Sequence, residues 1–121
     1  MAGSKHTVPA KFFLTRNAAR ELRDIHARSL REWGAEVAER YVAELYAVMH
    51  KAAAHPEMGE LRQHRSAPFL MVPARQHFVI YEQTPEGIVV LTIQHQVRNI
   101  ETLIAEFSPS FYAEVERLKR R

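Results

Sequence analysis

The sequence predicts an α+β domain: an antiparallel sheet with an N-terminal strand, a two-helix antiparallel hairpin packed on one face, and a short C-terminal helix. Three observations lead to it. Two long stretches with helical apolar spacing meet at a single glycine, Gly34. Short β-rich runs separated by turn residues follow them, and one apolar run precedes them.

That first run, "KFFLT", lies at residues 11–15 between Pro9 and a polar turn, as a strand would. Thr15 or Asn17 can then cap a helix, since either side chain accepts from an orphan backbone N–H. The helix "NAARELRDIHARSLREW" places Leu22, Ile25, Ser29 and Trp33 on one face and its charges on the other. Gly34 ends it with the backbone freedom a helix terminus commonly uses. The second helix, "AEVAERYVAELYAVMHKAAAH", carries a stripe of Val37, Tyr41, Leu45, Val48 and Ala52, widened by Ala38, Val42 and Met49. Glu36 and Arg40 pair along its outer side. One glycine between two such helices forces them to fold back on each other.

Pro56 and Gly59 in "HPEMGELRQHR" end the second helix and open what reads as a basic loop. "FLMVP" and "QHFVIYEQ" read as strands. "TPEG" is a turn, with Pro85 preset for its second position. "GIVVLTIQH" is apolar on both faces, the mark of a central strand. Strands consecutive in sequence form an antiparallel meander. The tail "SPSFYAEVERLKRR" opens with a serine cap and a proline at the first helical position, and Phe111, Val115 and Leu118 make it amphipathic. Residues 1–10 read as a flexible tail, 11–107 as one domain, and 108–121 as the C-terminal helix.

Composition removes several functions. With 121 residues there is room for one core and no separate effector domain. The absence of cysteine excludes disulfides, thiolate catalysis and cysteine zinc sites, and it fits a reducing cytoplasm. No segment approaches the roughly 18 apolar residues of a membrane span, and "MAGSKHTVPA" has no apolar signal core. A net charge of +3 permits contact with nucleic acid or an acidic protein. It falls short of the basic stripe of a duplex reader, so sequence-specific nucleic-acid binding is not expected.

The seven histidines show no metal-ligand spacing; His50 and His55 straddle a helix end. No G-x-S-x-G or S-x-x-K box exists, and the four glycines are dispersed, so neither a serine nucleophile nor a phosphate cradle is present. RNA cleavage is the serious catalytic candidate, because it needs a base, an acid and cations around the phosphorane. The available parts are Arg62, Arg65, Arg75, His77, His95 and Arg98. The two-residue strand period puts His95 with Val89, Leu91 and Ile93 on a face under the helices, which suits a structural histidine better than a general base. Arg98, just past the strand, suits a surface contact. Glu82, Glu86 and Glu101 stand in no diagnostic spacing. No catalytic set is assigned.

Several blocks in order resemble the ParE family of the wider RelE/ParE superfamily. Leu14-Thr15-Arg16-Asn17-Ala18 resembles its strand-to-helix joint, with Arg16 where proline is usual. Trp33-Gly34 resembles the helix joint, and Ala38, Tyr41 and Leu45 the second helix. "HPEMG" with Arg62 resembles N-P-x-x-G-x-x-R, "FVIYE" the strand ending in a tyrosine, and "IQHQVRN" the closing I-x-H-G-x-R-D, with Gln96 for glycine and Asn99 for aspartate. The resemblance spans residues 12–100. It implies the toxin of a type II toxin–antitoxin pair that inhibits DNA gyrase by direct binding; no cofactor and no metal are expected. It also implies a ParD-like antitoxin whose disordered segment folds across the toxin. Candidate contacts for target or antitoxin are Arg62, Arg65, Arg75, His77 and Arg98. Two alternatives stand beside this reading: a RelE-like mRNA endonuclease, and a non-toxic member that only binds its antitoxin.

The strand-end assignments are separable by mutation. Arg98→Ala should reduce growth inhibition and leave stability nearly unchanged, because an exposed arginine contributes about 0–1 kcal/mol even when paired. His95→Ala should lower the melting temperature first. Melts and growth assays on both variants test this; an unfolded Arg98→Ala, or a stable but inactive His95→Ala, reverses the two roles.

Overall fold

Short-range signals set the elements of the chain. A computed structural model describes residues 10–64, 67–96 and 99–121. Strand β1 (Lys11–Leu14) leads into α1 (Arg16–Trp33), and α2 (Ala35–Ala54) follows after one residue. Of the two possible caps, Thr15 is the one used: its Oγ1 accepts from the Ala18 N–H at 3.0 Å. Gly34 has φ +90°, and its N–H donates to the Leu30 carbonyl, so the break between the helices occupies a backbone region that side chains disfavour.

A short 3₁₀ turn (Pro56–Met58) precedes β2 (Glu60–His64), β3 (Ala67–Ala74), β4 (His77–Thr84) and β5 (Gly87–His95). The stretch expected to be a basic loop is therefore partly a strand. Its pattern concealed this because β2 is a charged edge strand whose one large apolar residue, Leu61, faces outward. The sheet order is β1-β5-β4-β3-β2. The last four strands make the expected antiparallel meander. β1 adds itself parallel to β5, from Lys11↔Gly87 to Leu14↔Val90. Gly87 allows this approach, since a Cβ there would collide with the Lys11 carbonyl.

The helical hairpin covers one sheet face. Leu22, Leu45, Met49 and Ala52 pack there against Val72, Val79, Tyr81, Ile88, Val90 and Ile93. The buried line of α2 runs through Ala38, Leu45, Met49, Ala52 and Ala53. Tyr41, Val42 and Val48 are only half-buried beside it. Val37 and Trp33, placed by spacing on the apolar faces, lie outside the core at the joint of the helices, with Trp33 67 % exposed. The apolar spacing of the helices thus continues past the residues that pack on the sheet.

The other face is covered too. After β5 come α3 (Ile100–Ala105), capped by Asn99, and the expected C-terminal helix α4 (Pro109–Lys119), capped by Ser108. Ile100, Ile104, Phe111 and Val115 pack on Phe69, Met71, Ile80, Val89 and Leu91. The result is three layers with β5 buried on both sides. No helix among the described residues is long and apolar enough to cross a membrane.

Leu45 is fully buried between α2 and the sheet. Leu45→Ala should therefore cost about 2–5 kcal/mol in chemical denaturation. Val37→Ala should stay within about 0.5 kcal/mol, the range of surface changes. Equal losses from the two would show the layer assignment to be wrong.

Candidate functional site

β4 begins and β5 ends at the same margin of the sheet, and the two meet as the pair His77↔His95. Above that margin lies the joint end of the hairpin. Between them is a cleft of about 710 Å³, lined among others by Asp24, Arg28, Tyr41, Arg75, His77 and His95.

A β-bulge decides which side chains reach it. Ile80 pairs with Thr92 but Tyr81 with Val90, so Leu91 is an extra residue in β5. Before it, Ile88 and Val90 face the hairpin; after it, Ile93 does. Val89 and Leu91 face α3 and α4. The uniform alternation expected for Val89, Leu91, Ile93 and His95 is thus broken, and His95 follows Ile93 alone. It is half-buried, with its ring 5.4 Å from that of His77 in an edge-on arrangement.

Tyr41 organises the cluster. Its hydroxyl lies 2.7 Å from His77 Nδ1 and accepts from the Gln76 backbone N–H at 3.1 Å. A hydroxyl that accepts from Gln76 can donate to Nδ1, which requires a neutral imidazole protonated on Nε2. Burial, then the neighbouring His95, then Arg28 push the His77 pKa down to about 4, in keeping with that tautomer. Arg75 occupies the tight β3–β4 turn with φ +58°, a conformation uncommon for a non-glycine residue. Glu44 holds its side chain at 3.0 Å, and the guanidinium lies 5.9 Å from the centre of the Tyr41 ring. Gln96 Nε2 donates to the Arg75 and His77 carbonyls, each at 3.0 Å.

The candidate contacts therefore divide. Arg75 and His77 meet in the cleft. Arg62 pairs in register with Phe69, on the face covered by α3 and α4, where it bonds Glu60 and Glu101. Arg65 and Arg98 lie outside the described residues. The sequence reading placed Tyr41 in a core stripe and gave Arg28, Glu44 and Gln96 no role in the site. The phenol of Tyr41, a polar tip on an otherwise apolar stripe, was the available signal. Chemically, the cleft offers a neutral imidazole and Arg28 and Arg75 beside the acids Glu21, Asp24 and Glu32, an arrangement suited to holding a polar group of a partner. Among the described residues no cluster of His, Asp or Glu could hold a metal ion.

Residues 12–100 match the family described as "ParE toxin of type II toxin-antitoxin system, parDE". The chain belongs to this family. It is 31 % identical over 86 residues to Toxin ParE1 of Caulobacter vibrioides, covering 71 % of this chain and 88 % of that protein. It is 27 % identical over 93 residues to Toxin ParE1 of Mycobacterium tuberculosis, covering 76 % and 95 %. A solved chain from the "Chromosomal ParDE TA system from P. aeruginosa" shares the fold, with a TM-score of 0.61 at 17 % identity, covering 72 % of this chain and 96 % of that one. The ParE match ends at the start of α3, so most of the layer on the second sheet face lies beyond it.

His77 also gives this ParE-family chain a pH signature. Its folded pKa of about 4 lies below the ordinary value of 6.5, so the unfolded chain takes up the proton first as pH falls. The stability that comes with neutral His77 should be complete above about pH 6.5 and lost progressively toward pH 4. Urea midpoints across that window should fall less steeply for His77→Gln, which cannot titrate. Parallel curves for the two proteins would remove His77 as the cause.

Proposed function

We propose that this chain inhibits DNA gyrase by direct binding, performs no chemistry of its own, and is neutralised in the cytoplasm by a ParD-like antitoxin. Membership in the ParE family supports the toxin–antitoxin setting. The observation that carries the non-enzymatic reading is the state of the cleft. A histidine held neutral by burial, with His95 and Arg28 beside it, is not a general acid at neutral pH. The arginine beside it is already engaged by Glu44. These groups are ordered for contact, with Arg75 and His77 as the contacts nearest each other. Antitoxin capture is supported by the exposed apolar joint of the hairpin, where Leu30, Trp33 and Val37 stand open to an amphipathic segment.

The purified chain should inhibit gyrase supercoiling and leave messenger RNA intact in a translating extract. Adding the product of an adjacent antitoxin gene should relieve the inhibition. Defined RNA cuts that disappear in His77→Ala or His95→Ala would replace this reading with that of a ribonuclease.

A further inference from the structure

The sheet ends at β2, which has β3 on one side and, among the described residues, no strand on the other. Glu60–His64 therefore presents a row of backbone donors and acceptors along its outer edge. Folded proteins commonly blunt such an edge with proline, a bulge, a short strand or charged side chains. "ELRQH" contains no proline, its register against β3 is regular, and its charges Glu60 and Arg62 are of opposite sign, so they repel a partner strand only in some registers. At its second position Leu61 is 66 % exposed, and Met58 just before the strand is also exposed. The other edge strand differs: Phe12, Phe13 and Leu14 of β1 already pack into the two core clusters.

We propose that the outer edge of β2 pairs with the same edge of a second copy of this chain, antiparallel and centred on Leu61. The charge pattern selects this partner and this register. Glu60 and Arg62 are two residues apart on one face of the strand, close enough to bond each other at 3.2 Å. With Leu61 on the two-fold axis, Glu60 stands opposite the partner's Arg62, and Arg62 opposite the partner's Glu60. The two leucines meet on the other face, each covering the other's exposed surface. Centring the pair on Glu60 or on Arg62 would set like charges face to face, which is unfavourable for directly opposed cross-strand residues. The interface is self-complementary, as a two-fold contact must be. Arg62 also bonds Glu101 of α3, so each arginine would lie among acids of both copies. The sheet would then run continuously through both copies. The contact is one strand wide, so association should be reversible, with a dissociation constant in the micromolar range.

Sedimentation velocity on the full chain across that range tests the pairing, with thermal melts to confirm folding. The wild-type chain should self-associate. Leu61→Asp should weaken association at least tenfold. Glu60→Arg and Arg62→Glu should each fail to self-associate, since each sets like charges opposite one another, yet an equimolar mixture of the two should form a heterodimer. Leu61→Asp alters neither charge and remains decisive if Arg62→Glu does not fold. A wild-type chain that stays monomeric throughout overturns the proposal and would leave the edge to an extended segment of a different protein. Association unchanged in Leu61→Asp, or charge variants that associate alone as the wild type does, also overturns it.

Discussion

β5 runs nine residues through the centre of the protein, but β1 accompanies it for only four. Past Val90 its edge would be bare inside a packed core, and unpaired buried backbone groups are costly. Helix α1 completes that edge. The Thr15 N–H donates to the Val90 carbonyl at 3.1 Å, and its hydroxyl donates to Leu91 at 2.7 Å while accepting from Ala18. One and a half turns on, the Glu21 carboxylate takes the Ile93 N–H at 2.9 Å, the Thr92 hydroxyl at 2.8 Å and the Gln94 amide at 2.7 Å. Burial pushes the Glu21 carboxyl up from its ordinary range, and hydrogen bonds from Ile93 and Thr92 hold it down against that. One residue at the strand–helix joint and one on the helix thus fix α1 against the sheet. α2 follows α1 through Gly34, and the position of α2 brings Tyr41 to His77.

Much of this was legible in the sequence because it follows from local chemistry. Thr15, Gly34, Ser108 and Pro109 announce helix ends, and "TPEG" announces a turn; each acts over a few residues. What escaped depends on residues distant in sequence. The β1–β5 pairing joins segments on either side of the whole hairpin. The extra residue at Leu91 carries no compositional mark, yet it rotates Ile93 and His95 to the hairpin face and so determines which groups line the cleft. β2 was concealed by its exposure. α3 was missed although its signal is present: Asn99 caps it, and Ile100 and Ile104 are one turn apart on its buried side.

The three departures from the ParE pattern each have a physical role. Arg16 stands at the first helical position, where proline would be favoured. Its backbone N–H, which proline lacks, donates to Glu114 of α4 at 2.9 Å. Gln96, in place of glycine, supplies the side chain that clamps the Arg75 turn. Asn99, in place of aspartate, still caps, with Oδ1 accepting from the Thr102 N–H at 3.1 Å. Arg16 tells most about this chain. It ties the start of the family region to a helix beyond its end, and Lys119 with Glu82 at 2.9 Å makes a second tie from that helix to β4.

Whether the cleft is assembled by a partner or stands ready for one depends on how its side chains are held. A non-glycine residue with positive φ is retained only when its surroundings over-determine it. Arg75 is held by Glu44 and Tyr41 from α2 and by Gln96 from the end of β5. His77 is held by Tyr41 and by its cross-strand neighbour His95. Side chains fixed from separate elements lose little further freedom when a partner arrives, so the ordering cost has already been met in folding. Fixed geometry alone would serve catalysis as well as docking. The two differ in the protonation they need: burial, then the neighbouring His95, then Arg28 lower the His77 pKa to about 4, so its imidazole is neutral at neutral pH. The burial that helps to hold His77 in place thus also limits its acid chemistry.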